Sequence, residues 1–406
     1  MTSACDVAVI GGGMFTTDVI LPSLYHLQRV GEIGTIHVCA RHTTPLKALA
    51  AEAPLLKAFP GQSFVAHPSL ETPEDKYHPE LYKEVIASLA PRQLVVIATP
   101  DHVHYDMVMT ALAHDQHVLC VKPLVLRHEQ AEEIAGIAAA RGLYVGVEYH
   151  KRFDRRSLEA RQRCQDGQFG EFILGEARLM EPYFYRHSNF QTWFTCENSD
   201  PFIYVGCHYV DLVYFITGLR PVSVSVEGVK RDFPNGKTGY LWSAGRVRFE
   251  NGALLSVING LGYPDAAGGG NDQGITMYFE GDDQAGMIRH QDQFRGVEYS
   301  YVAGEKRFHY INPDFFRLVP WDGDGLKPVG YGYESVAGHF GVARRIEAAT
   351  AALTGDAALA RRQELLRDVD QRGLMATAAN SSINEQVVEA ARASILNGGI
   401  PVEIPR

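Results

Sequence analysis

The chain has 406 residues, of which 46% are hydrophobic and 21% charged, and its formal net charge is −10. This length predicts two domains, because a single core rarely grows beyond roughly 300 residues. The negative charge without a basic block argues against nucleic acid as a partner, and no apolar run approaches the ~20 residues that span a bilayer. Six scattered cysteines without a C-x-x-C pair argue against a metal site. They fit free thiols, so we expect a cytoplasmic protein without a secretory segment.

The first 148 residues alternate short apolar segments with helical ones, which is typical of a parallel sheet covered on both faces. Strands are predicted at 7–10, 35–40, 94–98, 118–121 and 144–147. A helix is predicted at 131–141, ending at Gly142. The stretch 53–79 contains several prolines and is predicted to be a long irregular insertion. We expect this part to be one dinucleotide-binding domain, residues 1–148.

The pattern changes after residue 148. Helices are predicted at 157–166 and 202–215, a strand at 172–180, and an aromatic and polar loop at 181–201. Between 222 and 302 strands recur with Asn-Gly turns, as in an antiparallel sheet. Helices at 336–353, 357–367 and 384–396 follow. We expect a second domain, residues 149–406, whose C-terminal helices can pack back on the first.

The most informative segment is the glycine-rich stretch after the first predicted strand. Gly11, Gly12 and Gly13 follow the apolar run directly, and Met14 and Phe15 lead into a predicted helix. Glycines let the backbone approach a phosphate, and the helix N-terminus supplies N–H donors and a positive dipole. A threonine, residue 16, occupies the place of the third glycine in G-x-G-x-x-G, which loosens helix–strand packing but keeps the phosphate site. The segment therefore predicts a dinucleotide pyrophosphate site.

The end of the second predicted strand bears on the choice of cofactor. Dinucleotide sites that prefer NAD often carry an acidic residue here, whereas this chain has Arg41 and His42 and no carboxylate. Arg41 could hold a 2′-phosphate or stack on adenine. This favours NADP, although an arginine at this place is also compatible with NAD.

Two further predicted strands end in proline-bearing turns. Thr99, Pro100 and His104 follow one strand, and Lys122 and Pro123 follow the next. Because the carboxyl ends of parallel strands line the ligand crevice, these residues should face the same crevice as the glycine-rich turn. A lysine there could orient a substrate hydroxyl or lose a proton.

In combination these motifs resemble the Gfo/Idh/MocA oxidoreductases. The motifs are the Gly11 and Gly13 turn, the Ala98-Thr99-Pro100 turn with His104, the Lys122-Pro123 pair and the segment Gly206-Cys207-His208-Tyr209-Val210-Asp211. The resemblance implies an α/β fold: an N-terminal Rossmann domain with a doubly wound parallel sheet, and a C-terminal α/β domain with a large, mainly antiparallel open sheet. It also implies an NAD(P) cofactor and a sugar or cyclitol substrate. Since an exposed sheet face needs covering, a homodimer or homotetramer is expected.

The chain departs from the family pattern at two places. The family's Glu-Lys-Pro reads Val121-Lys122-Pro123, and Tyr204 stands where the family often has an aspartate four residues before its catalytic histidine, here His208. Tyr204, His208 and Asp211 are spaced i, i+4 and i+7, which predicts one shared helix face. His208 could take the hydroxyl proton as the carbon gives up hydride. Tyr204 either relays a proton or is a half-buried side chain bonded to backbone, and Asp211 matches a mainly structural position.

Two segments offer substrate contacts. They contain aromatic and hydrogen-bonding side chains, namely Tyr149, His150, Lys151 and Arg152 in the first, and Tyr183, Arg186 and Trp193 in the second. Aromatic faces with donors suit a pyranose ring, and the basic groups would suit an anionic sugar. Alternatively the aromatics are core residues and Arg152 pairs with Asp154 or Glu148.

Three functions are compatible with these residues. The first is an NAD(P)-dependent oxidoreductase in which Lys122 orients a sugar or cyclitol hydroxyl and His208 exchanges its proton. The second is an NAD-dependent glycoside hydrolase that oxidises the ring transiently and eliminates the aglycone. The third is a dinucleotide- or sugar-sensing regulator without turnover, against which the presence of both Lys122 and His208 argues.

Overall fold

The computed structural model describes residues 5–267, 270–282, 285–292, 300–303, 307–310 and 314–405. The chain divides into two compact units, each discontinuous in sequence. The first unit contains Met1–Val125, Glu129–His150 and Phe316–Ser381. The second contains Leu126–His128, Lys151–Phe315 and Ser382–Arg406.

A six-stranded parallel sheet forms the centre of the first unit. Its strands are β1 (Cys5–Ile10), β2 (Ile33–Cys39), β3 (Val65–His67), β4 (Leu94–Ile97), β5 (His117–Val121) and β6 (Val145–Glu148), in the order β3-β2-β1-β4-β5-β6. Residues 7–10 of β1 and all of β4 are buried, as their continuous apolar runs require. The predicted doubly wound parallel sheet is confirmed.

Helices connect the strands of this sheet. They are α1 (Leu21–Arg29), α2 (Thr43–Ala50), α3 (Ala53–Ala58), α4 (Leu81–Ser88), α5 (His104–Ala113) and α6 (His128–Arg141). The predicted stop of α6 is correct, since Gly142 follows it with a left-handed φ of 64°.

The prediction of an irregular insertion over 53–79 is wrong in part, because α3 and β3 lie within it. Pro54 occupies the first turn of α3, where a missing N–H costs nothing. β3 has only three residues and pairs with β2 at the sheet edge, so it carries too little apolar periodicity to be visible in the sequence.

The second unit is organised around a seven-stranded sheet. Its first six strands are β7 (Glu171–Pro182), β8 (Pro221–Asp232), β9 (Thr238–Phe249), β10 (Leu254–Tyr263), β11 (Asp272–Glu280) and β12 (Ala285–Asp292). The remaining strands of the chain are β13 (Ser300–Ala303), β14 (Arg307–Tyr310), β15 (Arg317–Pro320), β16 (Leu326–Val329) and β17 (Val402–Glu403). The sheet order is β12-β11-β7-β10-β9-β8-β17, and β10–β7 is its one parallel pair among the described residues. The predicted large, mainly antiparallel sheet is confirmed; parts of the predicted run 222–302 lie outside the described residues.

Helices cover one face of this sheet. The remaining helices of the second unit are α7 (Arg155–Gln165), α8 (Phe190–Trp193), α9 (Cys207–Thr217) and α12 (Ile383–Leu396), whereas α10 (Tyr331–Thr350) and α11 (Gly355–Arg372) belong to the first unit. α9 and α12 place Val210, Phe215 and Val387 in a core with Val226 and Leu255 of the sheet. The segment 181–201, predicted as a loop, contains α8 and a 3-10 turn at Tyr183–His187.

Candidate functional site

The glycine-rich turn lies between β1 and the helical segment that leads into α1. Gly11 has φ 115°, and its N–H donates to the Cys39 carbonyl at 2.8 Å. A Cβ here would overlap the carbonyl oxygen of Ala98, so both the φ and the space require glycine. A Cβ on Gly13 would meet no atom within 4 Å. The backbone at Gly13 therefore faces open space, as a phosphate site requires.

A π-helical turn, Thr16–Ile20, follows the glycines. The hydroxyl of Thr16 is buried and donates to the Gly11 carbonyl at 2.7 Å. The threonine at the place of a third glycine thus ties the start of the helix to the turn. Met14 and Phe15 lie half-buried between the glycines and this turn. π turns occur preferentially at functional sites, and nothing in the sequence pattern indicated this one.

Arg41 and His42 are exposed after β2 and contact a tyrosine that the sequence analysis did not identify. The Arg41 guanidinium donates to the Tyr77 hydroxyl at 3.2 Å and lies 5.8 Å from that ring. The His42 ring lies 5.0 Å from Tyr77. Tyr77 belongs to the segment predicted as an irregular insertion, which is why its proximity was not predictable.

His104 connects the turns that follow β4 and β5. It is fully buried, with Nε2 2.8 Å from the Thr99 carbonyl oxygen and Nδ1 2.9 Å from the Pro123 carbonyl oxygen. Both ring nitrogens therefore contact backbone carbonyls, and the predicted cofactor contact of His104 stays a prediction. Thr99, Pro100 and Lys122 are half-buried beside them, and Lys122 directly follows β5.

A histidine–carboxylate pair lies at the end of β6, where the sequence pattern indicated a binding role for the histidine alone. His150 Nδ1 lies 2.9 Å from Oε2 of Glu148. The His150 ring stacks against Phe15 at 6.3 Å and against Tyr331 at 5.6 Å. Tyr149 is buried. The first unit thus brings His150 next to the residue that precedes the π turn.

Lys151 and Arg152 are buried inside the second unit. Arg152 is 2% exposed and forms two hydrogen bonds to Asp211, at 2.8 and 2.5 Å. Asn384 donates to the same carboxylate at 2.7 Å. Lys151 donates to Gln273 at 2.6 Å. Arg152 is therefore a buried residue whose guanidinium is paired with Asp211, and its predicted substrate contact stays a prediction.

His208 lies in the first turn of α9 and is 4% exposed. The preceding residues Phe202–Gly206 form a second π turn, whose first N–H groups donate to the Asp200 carboxylate at 2.9 and 3.0 Å. Gly206 is required there, because a Cβ would lie 2.5 Å from the Asn259 amide oxygen.

Tyr204 has different surroundings from the other members of the predicted helix face. It lies inside the π turn, and its ring packs edge-on against Phe190, Trp193 and Phe194 at 5.2 to 5.8 Å. Asp211 is instead committed to Arg152. The i, i+4, i+7 spacing therefore describes one helical stretch whose three side chains have different surroundings.

Tyr183 and Arg186 form a separate aromatic–basic cluster. The Arg186 guanidinium lies 4.8 Å from the Tyr183 ring and 5.5 Å from the Trp242 ring, and it donates to the Leu261 carbonyl. Burial, together with nearby Arg231, lowers the pKa of Arg186 from its usual value. Tyr183 is 45% exposed and open to solvent.

No group of three or more His, Cys, Asp or Glu side chains is placed to hold a metal ion within the described ranges. No helix in the part of the chain that the structure describes has the length and apolarity to cross a membrane.

Two family models match the chain. Residues 5–149 match "Oxidoreductase family, NAD-binding Rossmann fold", and residues 157–280 match "GFO/IDH/MocA C-terminal domain". An uncharacterized oxidoreductase of Schizosaccharomyces pombe is 31% identical over 137 residues, which are 33% of this chain and 36% of that protein. The D-glucoside 3-dehydrogenase of Escherichia coli is 25% identical over 180 residues, which are 40% of this chain and 50% of that protein. The matched segments thus span at most half of these curated relatives.

A solved structure extends the likeness to the whole fold. Scyllo-inositol dehydrogenase from Lactobacillus casei, bound to NAD(H) and scyllo-inositol, superimposes with a TM-score of 0.60 at 17% identity. The match covers 99% of both chains. At this identity the likeness concerns the fold.

Proposed function

Since the chain belongs to the Gfo/Idh/MocA oxidoreductase family, we propose that it transfers a hydride between a sugar or cyclitol hydroxyl carbon and the nicotinamide of NAD(P). The observation that carries the proposal is the glycine-rich turn, where Gly13 faces open space and Gly11 admits no side chain. The fold likeness to a cyclitol dehydrogenase and the partial match to a glucoside dehydrogenase support the substrate class.

The residues at the carboxyl ends of β1, β4 and β5 fit a dinucleotide. The backbone of Gly11 and Gly13 and the helical segment after them would hold the pyrophosphate. Thr99 and Pro100 would border the ribosyl-nicotinamide half of the dinucleotide. When bound, the nicotinamide supplies the acceptor or donor of the hydride.

We assign the proton chemistry to two side chains. Lys122, directly after β5, would orient the substrate hydroxyl by donating a hydrogen bond to its oxygen. His208 would hold the proton that leaves the hydroxyl in oxidation and return it in reduction. Tyr204 would support the helical stretch that carries His208, because its ring packs against Phe190 and Phe194.

The cofactor choice turns on Arg41. Its guanidinium is exposed and supported by the Tyr77 hydroxyl. This guanidinium would donate hydrogen bonds to a 2′-phosphate, and no carboxylate directly follows β2 to repel that phosphate. We therefore propose NADP as the preferred cofactor. Replacing Arg41 by Ala should raise the Kd for NADPH and leave that for NADH nearly unchanged.

Substrate contacts would come from the segment 183–193 and from His150. Tyr183, Arg186 and Trp193 combine rings and a cation, which suits a carbohydrate that carries an anionic group. His150 would add a further contact in the first unit. Arg152 is not assigned a substrate contact, because its guanidinium is engaged by Asp211.

The outer face of the second sheet supports assembly with further copies of the chain. Leu174, Tyr278 and Met287 are directly paired neighbours on adjacent strands, and each is about half exposed. Ile258 of β10 lies on the same sheet and is equally exposed. A row of apolar side chains on an open sheet needs covering, so we propose a homodimer or homotetramer. Light scattering on the purified protein tests this, with Tyr278→Glu expected to reduce the mass.

One assay tests the reaction. The protein is incubated with NAD and NADP against free sugars, cyclitols, sugar acids and chromogenic glycosides, while NAD(P)H absorbance and aglycone release are recorded together. Net NAD(P)H with an unmodified carbohydrate supports the dehydrogenase. Aglycone release without net NAD(P)H would replace it with the glycoside hydrolase.

Variants of the two proposed proton-handling residues separate an enzyme from a regulator. Lys122→Ala and His208→Ala should lower kcat steeply while the melting temperature stays within a few degrees of wild type. If both variants only weaken binding and no substrate turns over with the wild-type protein, the regulator is the correct function.

A further inference from the structure

A buried carboxylate stands at the carboxyl end of β6, at the same edge of the sheet as the glycine-rich turn. Glu148 is 1% exposed. Its Oε2 lies 2.9 Å from His150 Nδ1, whereas its Oε1 is buried without a hydrogen-bond partner among the described residues. A buried carboxylate oxygen without a donor costs free energy, because it has lost the hydrogen bonds that water would give it. Glu148 Oε1 is therefore available to accept a hydrogen bond from a bound molecule.

Strand pairing places this carboxylate beside the position where the chain departs from its family. Val121 of β5 and Glu148 of β6 are direct partners in the parallel register. Paired residues on neighbouring strands point to the same face of the sheet. Glu148 thus presents its carboxylate next to Val121, the residue before Lys122, where the family pattern has a glutamate and this chain has none.

The sheet order indicates which part of a dinucleotide is nearest. β2, with Arg41 after it, lies on one side of β1, whereas β5 and β6 lie on the other side. A pyrophosphate held at the β1 turn sends its two nucleoside halves in opposite directions across the strand ends. With the adenosine half toward Arg41, the ribosyl-nicotinamide half extends toward Lys122 and Glu148.

The imidazole holds the carboxylate in place. His150 bonds one oxygen of Glu148 and is itself stacked between Phe15 and Tyr331. Phe15 immediately precedes the π turn at the start of the cofactor helix. The pair is therefore fixed against the segment that would hold the pyrophosphate, which leaves Oε1 oriented before any ligand arrives.

We propose that Glu148, held by His150, accepts a hydrogen bond from a ribose hydroxyl or the carboxamide of the nicotinamide half of the cofactor, replacing the carboxylate that position 121 lacks. This inference rests on the proposed function, since it requires a bound dinucleotide. It assigns Glu148 to cofactor binding and His150 to positioning Glu148.

The test is equilibrium binding of NADH and NADPH, followed by nicotinamide fluorescence, and of ADP, followed by calorimetry. ADP carries the adenosine and both phosphates but lacks the second ribose and the nicotinamide. Glu148→Val should raise the Kd for the better dinucleotide about tenfold or more, the worth of one hydrogen bond to a charged group. The Kd for ADP should change less than twofold.

The double variant Val121→Glu/Glu148→Val moves the carboxylate across the register pair, and it should recover most of the lost affinity. Glu148→Gln keeps the shape if the valine variant does not fold, and it should weaken binding by a smaller factor in the same dinucleotide-specific way. His150→Ala should weaken dinucleotide binding without affecting ADP. Glu84→Gln, an exposed carboxylate on α4, is the matched control and should bind like wild type.

The outcomes separate this inference from the proposed function. A wild-type protein that binds neither dinucleotide overturns both. If the wild-type protein binds a dinucleotide and Glu148→Val and Glu148→Gln bind it as tightly as wild type, only the role of Glu148 is overturned. Equal losses for ADP and dinucleotide also overturn it, because the carboxylate would then support the fold of the site rather than the nicotinamide half.

Discussion

The buried ion pair between Arg152 and Asp211 offers a quantitative test of the second unit. Asp211 lies one helical turn after His208, so its sequence position suits either a catalytic or a structural role. The structure gives it three hydrogen bonds, two from Arg152 and one from Asn384, at 1% exposure. We predict that replacing Asp211 destabilises the unit, since it leaves a buried guanidinium without its carboxylate.

The magnitude follows from the burial of both partners. Removing one member of a buried ion pair costs about 3–5 kcal/mol, which applies to Asp211→Leu. The double variant Asp211→Leu/Arg152→Met removes the orphaned charge as well and leaves only the Asn384 amide without its acceptor, a loss of about 1–3 kcal/mol. From the midpoints of these two ranges, the double variant should be about 2 kcal/mol more stable than the single one.

Tryptophan fluorescence in urea can isolate this unit. The chain has three tryptophans, and Trp193 and Trp242 lie in the second unit while Trp321 lies in the first. In a Trp321→Phe background the signal reports the second unit alone. With an m-value of about 2 kcal/mol/M, Asp211→Leu should lower the urea midpoint by about 1.5–2.5 M.

Two results would refute this reasoning. One is a midpoint for Asp211→Leu within about 0.5 M of the background protein, corresponding to about 1 kcal/mol. The other is a double variant that is less stable than Asp211→Leu, because this would mean that Arg152 is satisfied without the carboxylate. The matched control is Asp166→Leu, at the exposed C-terminal end of α7, which should leave the midpoint unchanged.

Three further predictions concern the first unit and the His208 segment. Gly13→Ala should keep the wild-type melting temperature but weaken NAD(P)H binding, because its Cβ would enter the open space. Gly11→Ala should lower both the melting temperature and the affinity. A Gly13→Ala variant with wild-type affinity would argue against the phosphate site. Burial lowers the pKa of His26 from 6.5 to about 4, so on acidification the unfolded chain binds a proton before the folded chain does. The free energy of unfolding should therefore fall as the pH drops from about 6.5 toward 4. His26→Gln should make the free energy of unfolding, measured by urea titration at each pH, depend less on pH, and an unchanged dependence would contradict the prediction. Gly206→Ala should lower kcat and the melting temperature because its Cβ meets the Asn259 amide, and Asn259→Ala should restore part of both; no rescue in the double variant would place the cause elsewhere.

Local patterns in the sequence were sufficient for the architecture of the first sheet. Continuous apolar runs such as that of β4, followed by glycine or proline, mark buried parallel strands, because each strand must bury both faces and end in a tight turn. The same logic placed Lys122 and the glycine-rich turn at strand ends. The short strand β3 was invisible because its three residues pair through backbone atoms at the sheet edge.

The partners of polar side chains were decided by the tertiary structure. His104 bridges the carbonyls of Thr99 and Pro123, and Arg152 pairs with Asp211, 59 residues away; the sequence pattern indicated none of these partners. A residue type states which bonds a side chain can form, but burial decides which of them must be formed.

The sequence by itself determined the kind of protein: a glycine-rich turn after a buried strand, a lysine at a strand end and a histidine in a helix, within the pattern of one oxidoreductase family. Only the tertiary structure placed Glu148 beside Val121, Tyr77 against Arg41, and residues 316–381 in the first unit. These relations depend on strand order, register and packing between segments far apart in the chain. Period and turn chemistry act over a few residues and therefore leave such relations open.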